Sequence, residues 1–79
     1  MELLVTKHDV LDFLAHARQA DAHEVAHALG VPFSTSAMAL LRLTRQGLVS
    51  RFIDTEAGTY WYELSDRGLK RLTYFRSRE

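Results

Sequence analysis

Apolar residues recur along the first half of this chain at helical spacing and along the second at alternating spacing. That change of period predicts the architecture. Val10, Phe13, Leu14 and Ala17 fall three and four residues apart, the repeat of one helix face. Thr6 stands before them as a cap, with Asp9 in the reciprocal place three residues on. A first helix therefore starts at Thr6 and fades near Gln19. A second starts at Asp21, capped in the same way with Glu24, and carries Val25, Ala26 and Leu29 on one side. It stops at Gly30, suited to the left-handed position just past a helix. At about nine residues it needs tertiary packing to persist. Val31-Pro32-Phe33 is a tight connection, because Pro32 cannot continue the second helix but suits the first turn of another. A third helix follows over about 34–46 and stops at Gly47.

The period then shortens. Residues 48–54 and 59–64 are rich in β-branched and aromatic side chains, and Thr55-Glu56-Ala57-Gly58 between them is turn-like, which predicts a β-hairpin. Ser65 caps a last helix whose Leu69, Leu72 and Phe75 are expected inward. Helix, short helix, turn, helix, hairpin and helix together describe a winged helix-turn-helix. The fold class is mainly α with a minor β part: a three-helix core, a two-stranded β wing and a C-terminal helix. One domain is expected over 1–79, with the helix-turn-helix at about 21–46, the wing at about 48–64 and the C-terminal helix at about 65–78.

Composition narrows the function classes. With 79 residues, a single domain of marginal stability is the expectation. Hydrophobic residues at 47% and charged residues at 25% fit a globular domain. The absence of cysteine excludes disulfides and cysteine-based zinc or redox sites, and fits a cytoplasmic setting. No apolar run approaches the roughly 18 residues that would span a bilayer, and the leading MELLV is too short for a signal peptide. Net charge is zero but uneven. Residues 1–30 hold five acids against two bases, and residues 31–79 hold eight bases against five acids. From Val31 to Ile53 there are three arginines, at 42, 45 and 51, and no acid.

One motif points elsewhere. His23-Glu24-x-x-His27 has the spacing of zinc proteases, two histidines one helical turn apart with a glutamate as general base. The longer form of that motif places its third ligand at position 33, which is Phe33 and binds no metal. Helical spacing also puts the two histidines and Glu24 opposite Val25, Ala26 and Leu29, and so toward solvent. Glu24 is better explained as the cap partner of Asp21, and Gly30 as the helix stop. No catalytic residue, metal site or cofactor is expected, and the chain is not expected to be an enzyme.

The stretch HEVAHALGVPFSTSAMALLRLTRQGLVSR, residues 23–51, resembles the helix-turn-helix of small winged-helix transcription regulators of the MarR and ArsR type. Ala26, Leu29-Gly30-Val31, Thr35, Leu40, Leu43 and Gly47-Leu48-Val49 carry the likeness. Tyr62 to Gly68 resembles the strand-to-helix exit of the same folds, and the pairing of LLRLTRQGLV with GTYWY resembles pilus phase-variation regulators, single winged domains of similar length. The resemblance spans roughly residues 8–70. It implies a third helix in the major groove of double-stranded DNA and a wing against backbone or minor groove. Such relatives usually carry Arg, His, Lys or Gln at the positions of Ala37, Met38, Ala39 and Leu41, and this chain does not.

At about 100° per residue from Ser36, Leu40, Leu43 and Gly47 share the core face, while Met38, Leu41, Arg42 and Arg45 point largely away. Three readings of Met38 and Leu41 stay open: thymine-methyl contacts, a protein contact patch, or core residues in a shifted register. Ser34 and Thr35 offer hydrogen bonds to base or phosphate, and Arg42, Arg45 and Arg51 are candidate phosphate contacts. The candidate DNA-binding set is Ser34, Thr35, Ala37, Met38, Leu41, Arg42, Arg45 and Arg51. Strand alternation puts Tyr60, Tyr62 and Leu64 on one face and Trp61 on the other, where Trp61 is either an interface anchor or packs across the hairpin on Phe52 or an arginine stem. Asp54 and Glu56 at the wing tip oppose close approach to phosphate. The basic C-terminal helix with Arg67, Lys70, Arg71, Arg76 and Arg78 is either a dimer contact or a helix that closes the core and leaves a basic face to solvent. The expected function is a homodimeric DNA-binding transcription regulator without membrane association. The alternative is a winged-helix protein-interaction module.

Overall fold

The computed structural model describes residues 6–77. MELLV and Arg78 lie outside the described residues. Seven elements follow in order: α1 (Lys7–Ala17), β1 (Gln19–Ala20), α2 (Ala22–Leu29), α3 (Phe33–Arg45), β2 (Val49–Asp54), β3 (Thr59–Leu64) and α4 (Asp66–Ser77). The expected winged helix-turn-helix is the observed fold.

Local chemistry sets most of the boundaries. The Thr6 hydroxyl accepts from the Asp9 N–H at 3.1 Å while the Asp9 carboxylate accepts from the Thr6 N–H at the same distance. Asp21 and Glu24 repeat this exchange at 2.8 and 3.0 Å, so two orphan amides are satisfied at each helix start. Gly30 leaves α2 with φ 67°. Pro32 is the N-cap of α3, one residue earlier than the spacing suggested, and Phe33 opens the helix.

One strand is not foreseen. Arg18 takes φ 70° at the end of α1, a left-handed value that residues other than glycine seldom adopt. The chain turns there into β1, which pairs antiparallel with β3 as Gln19 opposite Glu63 and Ala20 opposite Tyr62. The sheet therefore has three strands, in the order β1-β3-β2. Two residues carry no readable period.

The core gathers Val10, Leu11 and Leu14 of α1, Val25 of α2, Leu40 and Leu43 of α3, Leu48, and Leu72 of α4. Two details differ from the spacing argument. Leu11 is buried, and Ala17, the last residue of α1, is exposed. Leu69 is 52% exposed, and α4 meets the core with Gly68 and Leu72 instead, while Phe75 is half-buried with its ring edge-on to His8.

Gly68 takes Leu69's place because two backbones meet there. A Cβ on Gly68 would fall onto the Leu48 carbonyl oxygen. Ser65 fastens the same corner: its hydroxyl donates to the Gly47 carbonyl at 2.6 Å and accepts from the Gly68 N–H at 3.0 Å. Ser36, the buried polar residue of α3, donates its hydroxyl to the Ala22 carbonyl at 2.8 Å and joins α3 to α2. At the other end of α4, Arg76 pairs with Asp12 of α1 at 2.6 Å. The Arg76 hydrogen bond holds the Asp12 carboxyl below its ordinary pKa. Both side chains are over 40% exposed, so the pair contributes at most about 1 kcal/mol.

The Gly68 contact yields a measurable contrast. Gly68→Ala is expected to cost roughly 2 kcal/mol or more, because backbone rather than a flexible side chain blocks the methyl. At Gly30 an added Cβ meets nothing within 4 Å, so Gly30→Ala should cost only about 1 kcal/mol for its left-handed backbone. Urea denaturation of both variants measures the difference, and equal losses would contradict the close approach.

Candidate nucleic-acid interface

Burial of Ser36, Leu40 and Leu43 fixes which side of α3 faces solvent. Ser34, Met38, Arg42 and Arg45 are exposed, and Thr35, Ala37 and Leu41 are half-buried. Met38 is 48% exposed, which removes it from the core. Ala37 packs against the core and turns toward the hairpin. Arg42 and Arg45 sit in the last turn of α3, where positive charge also favours the helix end.

Each flank of α3 carries a groove. One, about 180 Å³, runs between α1 and α3 and is lined by Lys7 and Arg42 together with Val10 and Ala39. The other, about 380 Å³, lies between the hairpin and the start of α2 and α3, with His23, Phe33, Ala37, Tyr60 and Tyr62 along it. Lys7 and His23 enter these surfaces only through tertiary packing. Their spacing from α3 in the sequence carries no such signal.

The wing register is Val49 opposite Leu64, Arg51 opposite Tyr62, Phe52 opposite Trp61 and Ile53 opposite Tyr60. Val49 and Tyr62 are buried, so the face that carries Arg51, Ile53 and Tyr60 continues the core face outward. The Arg51 guanidinium stands 4.3 Å from the Tyr60 ring centroid, a cation–π distance. On the opposite face Trp61 lies across from Phe52 and is half-buried, the cross-strand arrangement rather than a free anchor.

Asp54 organises the wing turn. One carboxylate oxygen accepts from the Glu56 and Ala57 N–H groups at 3.0 and 3.2 Å, and the other from Trp61 Nε1 at 3.4 Å. The Ala57 amide, then Trp61, holds this carboxyl below its ordinary pKa.

The HExxH residues are engaged otherwise. The Glu24 carboxylate accepts from the Asp21 amide, and the His23 ring lies on Phe33 with centroids 4.2 Å apart and 30° between planes. His27 is exposed in the last turn of α2. Among the described residues, no group of three or more His, Cys, Asp or Glu is placed to hold a metal ion. No described helix is long and apolar enough to cross a membrane.

A family model described as the IclR helix-turn-helix domain matches residues 8–51. No curated protein matches the chain. Among solved structures, a MarR-family transcription regulator is 25% identical with a TM-score of 0.85, over 96% of this chain and 52% of its own. The PcaV transcriptional regulator of Streptomyces coelicolor, solved with its natural ligand, is 29% identical with a TM-score of 0.79, over 98% of this chain and 58% of its own. MepR, a transcription regulator of the Staphylococcus aureus multidrug efflux pump MepA, is 25% identical with a TM-score of 0.80, over 94% of this chain and 56% of its own. The chain thus spans little more than half the length of these structures.

The Asp54 geometry sets the acid behaviour of the wing. A carboxyl with a lowered folded pKa stabilises the fold above its unfolded pKa and stops doing so as pH falls through the folded value. Trp61 is the one tryptophan, so its fluorescence reports the hairpin. At neutral pH that signal is expected to stay constant, and to change below the ordinary carboxylate range before helical circular dichroism is lost. Asp54→Ala should show the altered Trp61 signal already at neutral pH. An unchanged signal in that variant would show that the carboxylate does not order the turn.

Proposed function

This chain belongs to the IclR helix-turn-helix domain family, and from that premise we propose that it is a DNA-binding transcription regulator whose α3 enters the major groove. The observation that carries the reading is the placement of four bases around the free face of α3. Arg42 and Arg45 stand on the helix, Lys7 shares a groove with Arg42, and Arg51 stands at the wing. Residues 31–53 bring no acid among them.

Arg42, Arg45 and Arg51 meet phosphates, which positions the domain without reading sequence. Ser34 and Thr35, in the first turn of α3, reach base edges or phosphate with their hydroxyls. Ala37 has no long side chain to hold the helix away from the duplex. Met38 and Leu41 lie toward the bases. The regulators named above, as transcription regulators of the same fold, support this reading. A homodimer would set two such helices at half-site spacing. The C-terminal helix is the proposed contact, where Leu69 and Tyr74 are each 52% exposed. The exposed Met38 and Phe33 favour one alternative, a winged module that binds protein through α3.

Binding to random duplex DNA across a salt series separates the two. A DNA binder weakens log-linearly with salt as counterions leave the phosphates. Arg42→Ala, Arg45→Ala and Arg51→Ala should each weaken binding on every sequence and lower the salt slope by about one. No binding at low salt would reject the regulator and favour the protein-binding module.

A further inference from the structure

We propose that Met38 is a specificity-determining residue that selects thymine through its C5 methyl group, an inference that rests on the major-groove reading above. Ser34, Met38, Leu41 and Arg45 succeed one another at four, three and four residues and form one row along α3. The row ends at Arg45 in the last turn. Before that turn it holds a short hydroxyl, a thioether at 48% exposure and a half-buried leucine.

Base reading by hydrogen bonds uses a narrow set of side chains. Arg or Lys forks onto guanine, Asn or Gln onto adenine, and Asp or Glu accepts from cytosine. From Phe33 to Leu41 the chain has none of these, and the hydroxyls of Ser34 and Thr35 in the first turn bond to any base without singling one out. Arg42 and Arg45 lie four and seven residues beyond Met38, about 6 and 10 Å along the helix, at the end placed on phosphate. The long side chain that α3 extends outward from its middle turn is therefore apolar. The major groove offers one apolar group on a base edge, the thymine methyl.

The surroundings favour DNA over a protein partner. Arg42 and Arg45, both exposed, border Met38 and Leu41, and residues 31–53 hold three arginines and no acid, a charge balance suited to a polyanion. The unbranched thioether also adapts to a methyl on either neighbouring base pair.

Short alternating duplexes test this directly by fluorescence anisotropy with the full chain. The dA·dT duplex and its dA·dU counterpart differ only in the C5 methyl. The wild type should bind the thymine duplex tighter by about fourfold for each methyl met, the worth of one buried carbon. A dG·dC duplex should gain similarly when its cytosines carry 5-methyl groups. Met38→Ala, at an exposed position, should melt as the wild type does, keep the salt slope and lose both methyl gains. Equal affinity for thymine and uracil duplexes with a normal salt slope would overturn the methyl reading and leave the regulator standing. A thymine gain that survives in Met38→Ala would overturn the assignment to Met38. Failure to bind any duplex at low salt would reject the regulator and this inference together.

Discussion

The face that α3 offers to solvent depends on one buried hydroxyl. Ser36 is fully enclosed and donates to the Ala22 carbonyl in the first turn of α2, so it has one place to point. A hydroxyl left unpaired at that depth would cost about 1–3 kcal/mol. With Ser36 inward, helical spacing of about 100° per residue sends Met38 and Arg45 to the far side. A turn of the helix by one residue would expose Ser36 and bury Ala37 or Thr35. Seating α3 and presenting its outer row are therefore one event. The small residues opposite, Ala22 and Ala26, are buried in α2 and let the two helices approach closely enough for the bond to form.

The second constraint is the corner where α3 leads into the hairpin and α4 returns. Ser65 holds the Gly47 carbonyl, its own N–H donates to the Leu48 carbonyl at 3.1 Å, and Gly68 lies against that same carbonyl. The hairpin leaves this corner with Val49 and Tyr62 inward. Alternation then carries Arg51 and Tyr60 outward on the same face. The cation–π contact between them restrains the guanidinium beside the groove that α3 borders. A site made of α3 and the wing needs both fastenings, because each fixes one wall.

Features decided by near neighbours in the chain were legible in the sequence. The two capping boxes, the Gly30 stop, the hairpin turn and the core face of α3 are each set within four or five residues. The HExxH spacing was resolved by the same local argument, and the Asp21–Glu24 exchange accounts for its glutamate. What distance in the chain hides was not legible. β1 has two residues and exists because β3, some forty positions later, accepts it. Leu69 fitted a helical stripe as well as Gly68 did. Only the close approach to Leu48 shows why the glycine turns inward. Lys7 and His23 belong to the grooves beside α3 by packing alone. The candidate set on α3 was readable as a face, but not the half-burial of Ala37 and Leu41, which depends on what the hairpin and core cover.

A chain of zero net charge is an unexpected partner for a polyanion, and screening removes the difficulty. Charges more than about 8 Å apart scarcely feel one another at physiological salt, so a duplex against α3 responds to Lys7, Arg42, Arg45 and Arg51 rather than to the total. The acids near the wing turn need separate treatment. Asp54 is committed to two backbone amides and the Trp61 indole, so it is present for the turn, and its charge is partly met by those donors. Glu56 beside it is exposed and still repels phosphate. In the proposed complex the hairpin therefore meets the backbone through Arg51, on the β-strand rather than at the tip. Insertion of the tip into a minor groove would bring Glu56 into the region of strongest negative potential. The sequence-reading burden then falls on α3 alone, whose outer row holds exposed Met38 and half-buried Leu41 between a serine and an arginine.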